Sequence, residues 1–286
     1  MGEEALTAAR GSRMTMEFLK MHAHGDDFVV VDMRGRKNEI TRESVRRLGD
    51  RNRGIGFNQL AVILDCDGAD ARCEFWNPDG SMLNACGSAT RGIADILMRE
   101  KGTRAVSLRT QRGLLRCERL AGGDIAVAMG EPLLHWRDIP LAVESDTLFL
   151  PVDGTPSACS MGNPHCTFFV DDLSIVDVAA IGPGVEHHAL FPQKTNVHFV
   201  QVLNRGRIRL RIWERGGGIP LGSGSCACGA AVAGIRRGLL DEAVEVVCDG
   251  GAFHVCWDGA GSVHLIGAVE SIFRGVLEDL LSPPPG

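Results

Sequence analysis

Two short segments of this chain place a side chain with a transferable proton directly ahead of Gly-Ser. They are Cys86-Gly87-Ser88 and Ser223-Gly224-Ser225. Each opens an apolar, Ala-rich stretch, the first running on through Leu97 and the second through Leu240. A helix starting at either point leaves its first backbone N–H groups without intrahelical partners. With the positive end of the helix dipole, such groups bind carboxylates or phosphates. A cysteine there is expected to have a stabilised thiolate, its pKa drawn below the free value of about 8.5. Two such termini turned toward each other would hold one carboxylate between them. A proton carrier on each side of the adjacent carbon is the layout for stereoinversion without a cofactor. The same residues also suit two small-residue helices packed closely in a core, and spacing alone leaves both readings open.

The two segments match each other at a single offset of 137 residues: Gly87 with Gly224, Ser88 with Ser225, Gly92 with Gly229 and Ala94 with Ala231. That offset is close to half of the 286 residues and fits a chain of two similar halves. A Gly-bearing loop precedes each segment, Asn77-Pro-Asp-Gly-Ser in one case and Gly216-Gly-Gly in the other. Runs rich in β-branched and aromatic residues predict strands at Phe28–Val31, Leu60–Leu64, Ala105–Arg109, Ile125–Met129, Cys166–Val170, Val197–Val202, Ile208–Trp213, Val244–Cys248 and Phe253–Trp257. Further helices are expected over Thr41–Asp50 and Leu173–Gly182, and the Pro-containing stretch Glu131–Pro151 reads as the crossover between halves.

Composition narrows the function classes. Apolar residues make up 44% and charged residues 23%, the balance of a globular protein with a sizeable core. The net charge of −6 and the lack of any Lys/Arg block argue against nucleic acid and anionic membranes as partners. No apolar run reaches the roughly 20 residues that span a bilayer. Met1–Arg13 lacks an apolar signal core and reads as a short disordered extension, so a cytoplasmic protein is expected. Ten cysteines are too dilute for a disulfide scaffold, and Cys66, Cys166 and Cys248 sit in apolar, strand-like settings that suggest buried hydrophobes. Cys226-Ala-Cys228 is half a metal site without a matching Cys/His pair, so no metal is expected.

From Met16 to about Leu277 the chain resembles the diaminopimelate epimerase family. The resemblance rests on six ordered motifs: Lys20-Met-His-Ala-His-Gly-Asp-Asp-Phe-Val-Val-Val-Asp, Gly54-Ile-Gly-Phe-Asn-Gln-Leu, Asn77-Pro-Asp-Gly-Ser-Met-Leu-Asn-Ala-Cys-Gly-Ser-Ala-Thr-Arg, Ser160-Met-Gly-Asn-Pro-His, Lys194-Thr-Asn-Val and Trp213-Glu-Arg-Gly-Gly-Gly. It implies an α/β (α+β) fold of two pseudo-symmetric halves, each a sheet wrapped around a central helix, with the active site in the cleft between them. The expected division is 14–133, completed by 270–286, and 134–269. The implied activity is cofactor-independent epimerisation of an amino acid, LL- to meso-diaminopimelate, by two-base proton transfer. The implied partners are a small-molecule amino-acid substrate and a second copy of the chain in a homodimer.

Carried over residue by residue, the resemblance puts Cys86 at one of the two catalytic thiols. It puts Gly87-Ser88 and Gly224-Ser225 at the helix starts whose amides hold the reacting carboxylate. Gln59 matches a further site position, and Asn77, Asn163, Asn196, Glu214 and Arg215 match residues that read the distal amino-acid group. The positions of His165 and Glu214 are implied to tune the thiols. Three departures cluster at the reacting centre. Ser223 stands where the second thiol belongs, Asp26 replaces the usual Asn among the substrate contacts, and Ile219-Pro220 replaces a loop that usually carries Thr. Cys226 lies three residues beyond Ser223, about 300° around a helix and about 4.5 Å along it, and does not substitute. The departures leave three readings: a Cys/Ser epimerase, a paralogous racemase of another amino acid, or an amino-acid-binding protein without catalysis.

Overall fold

The computed structural model describes residues 15–84 and 86–278, so the expected extension Met1–Arg13 lies outside the described residues. The first half runs β1 (Thr15–Ala23), β2 (Asp26–Asp32), α1 (Arg42–Gly49), β3 (Gln59–Leu64), β4 (Ala71–Trp76), β5 (Met82–Leu83), α2 (Gly87–Lys101), β6 (Ala105–Thr110), β7 (Gly113–Arg119) and β8 (Ile125–Ala128). The second runs β9 (Ser157–Ser160), β10 (Pro164–Phe169), α3 (Val178–Glu186), β11 (Asn196–Asn204), β12 (Arg207–Trp213), α4 (Gly224–Arg236), β13 (Ala243–Cys248), β14 (Gly251–Cys256) and β15 (His264–Gly267). A last strand, β16 (Glu270–Glu278), returns to pair antiparallel with β1.

The halves repeat one pairing pattern. In the first, β1–β2 is antiparallel, β2–β3 parallel, β3–β4 antiparallel, β4–β6 parallel, and β6–β7–β8 antiparallel. In the second, β9–β10, β10–β11, β11–β12, β12–β13 and β13–β14–β15 follow the same sequence of senses. Each parallel pair needs a crossover, and the helices supply them: α1 and α3 for the first crossover of each half, α2 and α4 for the second. Antiparallel pairing of β8 with β15 joins the halves into one continuous sheet.

Alternation along the strands sorts side chains into two layers. Phe28 and Val30 of β2 pack inward around α2, while Val29 and Val31 point outward to Val45 and Leu48 of α1. In the second half Val200 of β11 packs inward, and Val197 and Phe199 join Val178 of α3 outside. The central helices α2 and α4 are buried on almost every side and lie in one shared core. Their matched glycines have a packing reason. A β-carbon on Gly92 would come within 2.5 Å of the Phe28 ring on β2, and one on Gly229 within 2.9 Å of His165 on the equivalent strand β10.

All nine expected strand runs fall in strands, with Met129, Val170 and Trp257 one residue past an end. Strands β1, β4, β5, β7, β9, β15 and β16 add to them. In β7 charged residues alternate with buried apolar ones, because one face of the strand is solvated. Thr41 caps α1 by a reciprocal hydrogen-bond pair with Ser44, at 2.9 and 3.2 Å. Leu173–Gly182 is not one helix. Asp172 caps a single 3₁₀ turn at Leu173–Ile175, the chain re-extends, and Asp177 caps the separate α3 by accepting from the Ala180 amide at 3.0 Å. Replacing Gly92 by Val should therefore overpack the α2–β2 contact and cost about 3 kcal/mol, read as a lowered denaturant midpoint at unchanged slope.

Candidate active site

The first turns of α2 and α4 abut. Cys86 and Ser223 are the extended N-cap residues of the two helices, with φ −142° and −148°. A β-carbon on Gly87 would lie 3.8 Å from the Gly224 Cα, and one on Gly224 would lie 3.7 Å from the Gly87 Cα. Either added carbon would also press within 3.0 Å of Leu265 Cδ2, at 2.9 and 2.6 Å respectively, so the Leu265 side chain would have to shift. The free amides of both first turns, Gly87-Ser88 and Gly224-Ser225, thus converge with the positive ends of two dipoles.

On the α2 side, the Cys86 thiol donates to Gln59 Oε1 at 3.8 Å and accepts from the Ala89 amide at 3.5 Å. Burial, and next the charge of Asp26, push this thiol up to about 12, against the pull of the Ala89 and Ser88 amides and of Arg91. The expectation of a lowered thiol pKa is corrected here, because desolvation outweighs the helix terminus. Asp26, at the start of β2, is buried and accepts from Asn58 Nδ2 at 2.9 Å. Burial raises its carboxyl above the ordinary value, while Asn58, Ser88 and Arg91 oppose the rise.

On the α4 side, the Ser223 hydroxyl donates to Glu214 Oε1 at 3.2 Å. Glu214 stands at the base of a tight Glu-Arg-Gly-Gly-Gly turn closed by a bridge to Gly218, with Gly216 and Gly218 at φ 73° and 81°. Burial first, and the charge of Asp26 second, raise the Glu214 carboxyl to about 7. Asp26 therefore acts on both proton carriers, which places Asp26, Gln59, Cys86, Glu214 and Ser223 around one point.

Of the remaining expected residues, Asn163, His165, Asn196 and Arg215 belong to the second half and Asn77 to the turn after β4 in the first. His165 is fully buried against Gly229, one turn or more inside the helix from Ser223, and bonds Asn163 Oδ1 at 3.0 Å and His198 at 3.2 Å. His198 in turn bonds Thr167 at 3.0 Å, and burial holds both imidazoles neutral, His198 at about 3. The ligand atoms of His165, His198 and Cys226 lie within 4.8 Å of one another, a metal-capable trio whose ring nitrogens are already spent in this chain of hydrogen bonds. Asn196 is buried and uses both ends of its amide as scaffold. It donates to the Pro164 carbonyl at 2.9 Å and accepts from the Arg215 amide at 3.0 Å. Arg215 is exposed, with Nη1 3.2 Å from the Gln193 carbonyl. Asn77 closes its own turn by donating to Ser81 Oγ at 2.9 Å. Sequence reasoning passed over Asn58, Arg91 and His198. For Arg91 the signal was a lone charge inside an Ala/Gly stretch.

The profile of the diaminopimelate epimerase family matches residues 18–134 and again 157–272. A diaminopimelate epimerase of Acidiphilium cryptum (strain JF-5) is 45% identical over 272 residues, covering 93% of this chain and 98% of its own. One from Rhodospirillum centenum (strain ATCC 51521 / SW) is 44% identical over 277 residues, covering 94% and 95%. The chain belongs to the diaminopimelate epimerase family. Solved structures share the family's fold at far lower identity. A hydroxyproline epimerase from Agrobacterium vitis with bound trans-4-hydroxy-L-proline superposes with TM-score 0.66 at 14% identity, covering 94% of each chain. A predicted epimerase from Pseudomonas aeruginosa gives 0.68 at 16%, covering 94% of this chain and all of its own. Among the described residues no helix is long and apolar enough to cross a membrane.

In this family member the residue at 26 sets the charge of the centre. Asp26→Asn removes a negative charge that faces both Cys86 and Glu214, so both should ionise more easily. Alkylation of Cys86 at pH 9, followed on its peptide by mass spectrometry, should speed up several-fold, and the Glu214 carboxyl should titrate below about 7 by NMR.

Proposed function

We propose that this chain interconverts LL- and meso-diaminopimelate, with Cys86 serving one face of the α-carbon and a Ser223–Glu214 pair the other. The observation that carries the reading is the meeting of two helix N-termini, one capped by Cys86 and the other by Ser223. A carboxylate held by both sets of amides would leave its α-carbon between the two caps. In one direction the Cys86 thiolate takes the α-proton and the C–H electron pair passes into the carboxylate. The opposite face then receives the Ser223 hydroxyl proton as the Glu214 carboxyl reprotonates that oxygen. One proton has moved from Glu214 to Cys86, and the reverse direction returns it. Convergent amides in a closed, dry cleft stabilise the carbanionic transition state.

The distal amino-acid head falls to Asn77, Asn163 and Arg215, whose exposed guanidinium fork suits a carboxylate. Asn196 joins this group and also holds the Arg215 backbone in place. Thiol, hydroxyl and carboxyl together supply both proton carriers, which supports a cofactor-free reaction. The same reading takes the enzyme as a cytoplasmic homodimer, to be checked by analytical ultracentrifugation.

The hydroxyl at 223 favours a second reading, a relative that acts on another amino acid or only binds one. Incubation with LL- and meso-diaminopimelate in D₂O, followed by proton NMR, decides between them. Exchange with inversion supports the epimerase, exchange without inversion leaves Cys86 working alone, and no exchange with either isomer moves the search to other amino acids. The Ser–Glu pair has its own signature. The active enzyme carries one proton across Cys86 and Glu214, so kcat/KM should rise with pH through about 7 from either isomer, as Glu214 ionises and a base becomes available. Glu214→Gln should remove that limb and lower turnover by about 10²–10⁴-fold.

A further inference from the structure

Arg91 is fully buried on the first turns of α2, and none of Nε, Nη1 or Nη2 has a hydrogen-bond partner among the described residues. An Arg carries five N–H donors and keeps its charge, and a buried charge without a partner is among the most costly things a fold can contain. Its position is specific. A β-carbon on Gly224 would lie 3.9 Å from Nη1, so the guanidinium reaches from α2 across to the first residue of α4. Its Cζ lies 5.4 Å over the Phe253 ring of β14. It faces Cys86 and Asp26 at the reacting centre, Asp124 ahead of β8, His24 in the β1–β2 turn, Cys117 on β7 and Cys228 on α4. None of these is within hydrogen-bonding reach. The positive ends of two helices and an unpaired cation therefore share one buried spot.

We propose that Arg91 is the fixed counter-charge of the reacting centre, stabilising the Cys86 thiolate and the second negative charge that the held carboxylate acquires when the α-proton leaves. The inference deepens the epimerase reading and rests on it for the carboxylate. It does not rest on it for the thiolate. As the α-proton passes to Cys86, the thiolate charge disappears and an equal charge appears on the carboxylate side of the α-carbon. A cation beside both positions keeps its anion throughout and does not have to move. Arg91 acts through Cys86 and the carboxylate, and is a positioning residue for charge rather than a proton carrier.

A structural arginine and a counter-charge predict opposite effects of removal. If Arg91 serves packing, its loss lowers the melting temperature. If it serves the site, the ligand-free protein is relieved of an unpaired charge. The test compares full-length wild type, Arg91→Met and Arg91→Lys in three measurements: ligand-free thermal unfolding, the rate of Cys86 alkylation by iodoacetamide at pH 9 read on its peptide by mass spectrometry, and deuterium exchange of diaminopimelate. Arg91→Met should melt no lower than wild type, alkylate Cys86 at least tenfold more slowly and lose exchange by about 100-fold or more. Arg91→Lys should bring alkylation back to within about threefold of wild type. An Arg91→Met protein that fails to fold, melts lower, or keeps the wild-type alkylation rate overturns the proposal. If wild type exchanges neither isomer, the substrate reading fails, while melting and alkylation still decide the role of Arg91.

Discussion

Two helix N-termini pointed at one another are an unfavourable electrostatic arrangement, and the rest of this molecule is organised around keeping it. Each terminus carries about half a positive charge and a set of unpaired amides. At the distance set by Gly87 and Gly224 the two partial charges repel, and an anion between them turns repulsion into attraction. The contact needs a rigid frame, and the continuous sheet provides one. The β8–β15 pairing fixes the two halves edge to edge, and each half wraps its own central helix so that α2 and α4 arrive head to head.

The duplicated pattern explains why the same few small residues recur. Gly92 and Gly229 sit at equivalent points of the two helices and let each approach the equivalent strand of its half, β2 or β10. The halves differ in what those strands present. β2 offers Phe28, an apolar wall, whereas β10 offers His165, tied through His198 to Thr167. One half therefore packs its central helix on hydrocarbon and the other on a polar chain that orders Asn163 beside it.

Most of this architecture was legible in the chain because it depends on local pattern. The offset repeat announced two halves, and the glycines at helix starts announced close approach. The strands that escaped notice, such as β7 with Arg116 and Glu118 facing water, hide their buried positions among charges. Leu173–Gly182 was misread because two Asp caps, Asp172 and Asp177, lie only five residues apart and divide what looks like one apolar stretch. The site was legible as a set of residues but not as a set of energies. A helix N-terminus lowers a thiol pKa only while water or charge helps, and sequence cannot say what covers Cys86. Nor could it say that Asn196 would bond the Pro164 carbonyl and the Arg215 amide, because that depends on where those two residues come to rest.

The same balance of charges bears on how a serine can stand where a second thiol belongs. A hydroxyl alone is too weak an acid to share a proton with a thiol, but Ser223 does not stand alone. It donates to a carboxyl that burial and Asp26 hold at about 7, far above the ordinary 4.5. A carboxyl raised in this way favours the folded state fully below its unfolded value and loses that contribution as pH rises through about 7. Its protonated form is therefore the comfortable one in the closed site, and the proton is available where the hydroxyl needs it. Asp26 pushes protons onto Glu214 and Cys86 alike, while Arg91 and the helix ends pull the other way on Cys86. In the ligand-free site the two carriers are unequal, because the thiol at about 12 holds its proton more tightly than the carboxyl at about 7. An epimerase must run in both directions over the same pair of groups, and Arg91 with the α2 amides, by pulling the thiol down, works to narrow that gap.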